Sequence, residues 1–179
     1  IYGGTEDDDN SGSIEYLIIN YAGAQINSES QYNGLTLYAV GSGTTISNVA
    51  ILNGTDDGVE FFGGTVSASN FYLENNEDDA IDWTEGWNGT NTNWYGKLAF
   101  GKGNRGIEAD NFENGFSNTP ISNPTINNMT LVGPGATASG DIYTENDGVK
   151  VRRGTKAIFS NVVLADWKDG FDVENDETI

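Results

Sequence analysis

Along this chain one short phrase of apolar and polar positions keeps returning. Asp56-Asp57-Gly58-Val59-Glu60-Phe61 recurs as Asp78-Asp79-Ala80-Ile81-Asp82-Trp83, Asn104-Arg105-Gly106-Ile107-Glu108-Ala109, Asn146-Asp147-Gly148-Val149-Lys150-Val151 and Lys168-Asp169-Gly170-Phe171-Asp172-Val173. In each copy two apolar residues flank a residue of another kind, the period of a strand with one buried face. A second strand lines up in three apolar columns: Ile14, Ile46, Ala68, Tyr95, Ile126 and Phe159; Leu17, Val49, Phe71, Leu98, Met129 and Val162; Ile19, Ile51, Leu73, Phe100, Leu131 and Leu164. A third short segment follows the Gly-Thr pairs at 4–5, 43–44, 64–65, 89–90 and 154–155. The shortest interval, Gly58 to Ala80 and again Gly148 to Gly170, is 22 residues. That is too short for a strand-helix repeat but enough for one turn of a coil of short strands.

The pattern predicts an all-β chain, a right-handed parallel β-helix of about six to seven rungs with three short strands per rung. Residues 1–179 read as a single β-helix segment. Ile1-Tyr2-Gly3-Gly4-Thr5 matches Phe61-Phe62-Gly63-Gly64-Thr65, so the segment is expected to be part of a longer chain. Extra residues at 24–33, 84–94 and 133–147 are expected to project from the coil, where recognition is usually found. Asn48, Asn70, Asn128 and Asn161 share one rung position, and a stacked amide can donate to one neighbour and accept from the other.

The phrases Gly58-Val59-Glu60-Phe61-Phe62-Gly63-Gly64-Thr65 and Asp-Asp-Gly resemble those of secreted right-handed β-helix proteins of bacteria, in the broad pectate-lyase-like superfamily. The resemblance implies an extracellular or bacterial cell-surface location. Its members include polysaccharide lyases, glycosidases, adhesins and passive stalks, so it leaves the activity open.

Charge narrows the function. Eight basic against 27 acidic residues give a formal charge of −19, which disfavours nucleic acid and anionic membrane surfaces. No apolar stretch is long enough for membrane insertion as a helix. Histidine and cysteine are absent. Ser-His-Asp and Cys-His catalysis, histidine-ligated zinc and disulfides are thereby excluded. A polygalacturonase-like hydrolase is disfavoured too, because that branch carries a histidine motif beside its aspartates.

Two polar columns run through the returning phrase, one between its two core residues, Thr36, Glu60, Asp82, Glu108, Lys150, Asp172, and one just before the strand, Asn33, Asp57, Asp79, Arg105, Asp147, Asp169. Unit charges stacked at rung spacing repel by about 1 kcal/mol in water and about 3.5 kcal/mol at an effective dielectric of 20. Arg105 and Lys150 interrupt the columns, but Asp56, Asp57, Glu60, Asp78, Asp79 and Asp82 have no alternating cation. These six are the candidate ligands for a hard divalent ion, Ca²⁺. The acidic run Glu6-Asp7-Asp8-Asp9-Asn10 reads instead as a solvated loop.

A calcium-dependent polysaccharide lyase would need an unprotonated base, and Lys150 and Arg152 are the catalytic candidates. A carbohydrate-binding role rests on Trp87 and Trp94 in the 84–94 segment, among amides and hydroxyls suited to sugars. The leading expectation is an extracellular structural or adhesive module, Ca²⁺-stabilised and able to self-associate end to end into fibres. Its partner would be an extracellular polysaccharide or a cell-surface molecule. The alternative is a polysaccharide-binding module or Ca²⁺-dependent lyase.

Overall fold

The apolar columns become two parallel ladders. In the computed structural model, which describes residues 3–27, 30–139 and 145–179, one sheet runs β1 (Ser13–Asn20), β5 (Thr45–Leu52), β7 (Ala68–Glu74), β9 (Thr90–Lys97), β11 (Thr125–Val132) and β13 (Ile158–Ala165). The other runs β4 (Leu35–Tyr38), β6 (Val59–Phe62), β8 (Ile81–Thr84), β10 (Ile107–Ala109), β12 (Asp147–Val151) and β14 (Asp169–Val173). Every pairing within these sheets is parallel, so each rung lies on the next as a turn of a parallel β-helix.

The three expected faces are carried by two ladders. In the first sheet the core residues of β5 are Ile46, Val49 and Ile51, an interval of three followed by one of two, which a straight strand cannot bury. The extra residue bends the strand. Tyr16, Asn48, Asn70, Asn93, Asn128 and Asn161 sit at this point with φ of 54, 56, 57, 59, 56 and 54°, in the left-handed region. Asparagine tolerates that conformation better than other side-chain-bearing residues, and its amide is used as well. Asn70, Asn93, Asn128 and Asn161 each donate Nδ2 to the Oδ1 of the ladder residue one rung back, at 3.1, 3.0, 3.3 and 2.7 Å.

Asn93 corrects the expected register. β9 pairs with β7 so that Trp94 lies on Phe71 and Gly96 on Leu73, and with β11 so that Asn91 lies on Ile126. The column residues are therefore Asn91, Trp94 and Gly96, not Tyr95, Leu98 and Phe100. Tyr95 faces outward and stacks on Tyr72 with ring centroids 5.1 Å apart. Leu98 is buried after the strand, and Phe100 is 78% exposed. Asn91 survives in the core because Oδ1 accepts the Ala68 N–H at 2.8 Å and Nδ2 donates to Thr125 O.

The same shift relocates an insertion. Residues 84–94 belong to an ordinary rung, and the added residues of that region form the 110–124 connection between β10 and β11. This loop is pinned by the fully buried Asn111, which donates to Phe116 O and Asn118 O and accepts from the Ser122 N–H. The segment around residues 24–33 does project, as an antiparallel pair of β2 (Gln25–Asn27) and β3 (Ser30–Gln31). Part of the 133–147 segment lies outside the described residues.

The core between the ladders is aromatic at its middle. Phe61, Trp87 and Trp94 stack nearly parallel, Phe61 to Trp87 at 3.8 Å and Trp87 to Trp94 at 6.3 Å. Each indole N–H finds a carbonyl, Trp87 on Val66 O and Trp94 on Ala68 O.

Candidate metal centre

The returning phrase places its carboxylates by strand alternation. Val59 and Phe61 point into the core, so Glu60 points out, and Ile81 and Trp83 do the same for Asp82 one rung on. Asp57 and Asp79 lie just before these strands and are buried. Their first task is structural. Asp57 Oδ1 accepts the Asp79 N–H at 2.9 Å, and Asp79 Oδ1 accepts the Arg105 N–H at 2.7 Å, so each aspartate caps an amide of the following rung.

Carboxylates of the two rungs also converge. Asp56, Asp57 and Asp78 bring one oxygen each to within 4.8 Å of one another, and Asp57, Glu60 and Asp82 do the same. Asp57 belongs to both triads. Asp82 Oδ1 is buried with no hydrogen-bond partner among the described residues. A buried acceptor left unmatched costs about 1–3 kcal/mol, more when it is charged.

Protonation reflects this crowding. Burial pushes Asp57 and Asp82 well above the usual carboxylate range, and their acidic neighbours, chiefly Asp82 for the first and Glu60 for the second, push them further. Burial raises Glu60 to about 7, opposed by the Asn33 amide and reinforced by Asp56, Glu85 and Asp78. Asp56 and Asp78 are raised, again mainly by burial. All five groups would gain from a cation in contact.

Asp79 is the expected ligand that stands apart. It enters neither triad, and its Oδ2 instead faces Arg105 Nη1 at 3.5 Å. Arg105 also meets Glu108 at 3.2 Å and Glu145. Among the described residues the ion pairs thus fall on one half of the acidic face, and the other half meets Arg105 and Arg152 only at longer range, through Asp78 and Asp82.

Lys150 and Arg152 lie on the compensated half. Lys150 Nζ contacts Glu145 at 3.0 Å, Asp172 at 2.7 Å and Glu174 at 2.7 Å, which holds the ammonium protonated and pushes its pKa up despite burial. Arg152 is clamped by Asp110 Oδ1 at 2.8 Å and by Glu108, while Arg153 holds Asp110 Oδ2 at 2.7 Å. A base must give up its proton before it can take another, and three carboxylates oppose that at Lys150, whereas burial and the neighbouring Arg153 and Arg105 push the Arg152 pKa down against the pull of its acidic partners.

A profile of the pectate-lyase-like beta helix domain matches residues 1–179, the whole chain. The chain belongs to that family. No curated protein and no solved structure matches it. Family membership agrees with the stacked parallel rungs and carries no assignment of chemistry to a residue. Among the described residues of this β-helix domain, no helix is long and apolar enough to cross a membrane.

The family's β-helix also explains the fate of Trp87 and Trp94. Both are in the core, Trp87 fully buried and Trp94 2% exposed, so neither can present a face to a sugar. The missed signal was Asn93: read as a ladder member, it would have set the register that turns Trp94 inward. Outward aromatic pairs do occur, Tyr72 on Tyr95 and Tyr38 on Phe62, the latter with centroids 4.6 Å apart beside the acidic columns.

Proposed function

We propose that this domain is a structural or adhesive segment of an extracellular, cell-surface bacterial protein, stiffened by a divalent cation on its acidic face. Asp57, Glu60 and Asp82 would hold the ion, with Asp56 and Asp78 at the rim. An all-oxygen, carboxylate-rich set suits a hard cation, and Ca²⁺ suits it best because it accepts irregular geometry and many ligands. The observation that carries this reading is that Asp82 has a buried, unpartnered Oδ1 and brings a carboxylate oxygen within 4.8 Å of those of Asp57 and Glu60.

The ion's contribution would be to staple rungs. Glu60 and Asp57 belong to one rung and Asp82 to the next, so shared ligation opposes their separation. A ligand bound only by the folded chain stabilises it by about 2.7 kcal/mol at a hundredfold excess over Kd. Thermal unfolding with Ca²⁺ and with chelator tests the reading, alongside calorimetric titration of Ca²⁺. A melting temperature raised by Ca²⁺ and lost in Asp82→Asn supports it. Coincident melting curves and no heat of binding would overturn it.

A further inference from the structure

The chain contains four Asn-Gly pairs: Asn33-Gly34, Asn53-Gly54, Asn88-Gly89 and Asn114-Gly115. Asn-Gly is the pair in which a backbone amide most easily attacks the preceding side chain, because glycine has no Cβ to obstruct the approach. Whether it does so in a folded protein depends on what holds the side-chain amide and the glycine N–H.

Three of the four pairs are held. Asn33 Nδ2 donates to Thr36 Oγ1 and Glu60, and the Gly34 N–H is engaged by Asp57 O at 2.8 Å. Asn53 donates to Asn20 Oδ1 and accepts from Asn75, and the Gly54 N–H is bound by Asn76 Oδ1 at 3.0 Å. Asn88 Nδ2 donates to Gly86 O at 2.7 Å and Ile121 O at 3.0 Å.

Asn114-Gly115 has neither kind of restraint. It lies at the tip of the 110–124 loop, both residues are exposed, and among the described residues neither the Asn114 side chain nor the Gly115 N–H has a hydrogen-bond partner. Gly115 has a φ of 102°. Only carbonyls of the pair are used, Gly115 O by the Asn118 N–H and Asn114 O by Asn118 Nδ2. Asn111, before the tip, is tied to Phe116 O and Asn118 O after it, so the base of the loop is closed independently of the tip.

We propose that Asn114 is a site of spontaneous backbone modification, converting to aspartate and isoaspartate in the folded protein. The Gly115 nitrogen attacks Asn114 Cγ and a new C–N bond forms. The bond from Cγ to the side-chain nitrogen breaks, and ammonia leaves carrying the proton shed by Gly115. Water then opens the resulting five-membered imide at either carbonyl. Cleavage at one gives aspartate, and cleavage at the other routes the main chain through the side-chain carbon. The net change is water consumed, ammonia released and one negative charge gained beside Glu113.

The test is to age the full chain at mildly alkaline pH, folded and in urea, and to map the peptides by mass and chromatography. The expected result is amide-to-acid conversion of the Asn114 peptide, in two chromatographic forms, at equal rates in both conditions. The peptides holding Asn33, Asn53 and Asn88 should convert in urea and lag when folded. Asn114 remaining an amide in the folded chain, or the other three converting as fast folded as in urea, would overturn the proposal. Asn114→Gln provides the second readout: the acidic variant that accumulates in intact folded protein should disappear. Persistence of that variant places the modification elsewhere and also overturns it.

Discussion

The Asp57 carboxylate accepts the backbone N–H of Asp79, one rung on, at 2.9 Å. One side chain therefore serves both the stacking of rungs and the proposed ion site, since Asp57 is also the member common to the two carboxylate triads. The two roles are separable by chemistry, because the cap needs only an acceptor and the ion needs a charge.

Asp57→Asn should separate them. The amide oxygen can still cap the Asp79 N–H, and one buried charge is gone. In chelator the variant is expected to melt at or above the parent temperature, and with Ca²⁺ it should lose the added stabilisation. Paired melting curves of variant and parent measure both effects.

Glu60 implies an unusual pH dependence without metal. Its pKa is about 7 when folded, above the ordinary carboxylate value, so between those limits the folded state holds the proton that the unfolded state has released. Stability from this group is present below its unfolded pKa and is lost as pH rises through its folded one. Asp110 and Asp147, each raised to about 6 mainly by burial, act in the same sense at lower pH. Metal-free protein should therefore melt higher at about pH 5 than at about pH 8. Glu60→Gln should flatten the upper part of that slope in a pH series of urea denaturations.

Asn70→Leu tests the ladder. Leucine in the left-handed conformation costs about 1–2 kcal/mol, and two amide hydrogen bonds are lost at about 1 kcal/mol each. A destabilisation of about 3 kcal/mol is expected in urea unfolding, with the Ca²⁺ response unchanged.

Trp87→Ala should be severe. Trp87 is fully buried and stacked on Phe61, and emptying such a site costs about 3–5 kcal/mol. The parent should emit at short wavelength and resist quenching by iodide, because Trp83, Trp87, Trp94 and Trp167 are all buried. Addition of soluble polysaccharide should leave that emission unmoved.

Most of the coil was legible because its signals repeat. Val59 and Phe61 have counterparts in every rung, so their columns could be read by comparing the chain with itself. The rung from 90 to 97 broke the pattern, since Asn91 and Gly96 occupy columns that are apolar elsewhere and Tyr95 offers a plausible but false substitute. The asparagine ladder was visible, whereas the bend it supports was not. A left-handed φ shows in sequence only as a preference, and Tyr16 takes the same conformation without being an asparagine. In the acidic face the uncompensated half was identifiable by the missing cations, yet only geometry separated Asp79, turned to Arg105, from the convergent set.

The asparagine ladder also gives the molecule a direction. From Asn161 to Asn48 every ladder bond is donated the same way, each Nδ2 reaching back to the rung before. Aligned amide dipoles add, so the row is an electrical vector along the coil, with the Asn161 oxygen pointing onward and Tyr16 taking the ladder position before Asn48. The two directions along the coil are consequently not interchangeable: a rung laid on Asn161 extends the row only if it offers a donor to that oxygen, and a reversed rung would set acceptor against acceptor.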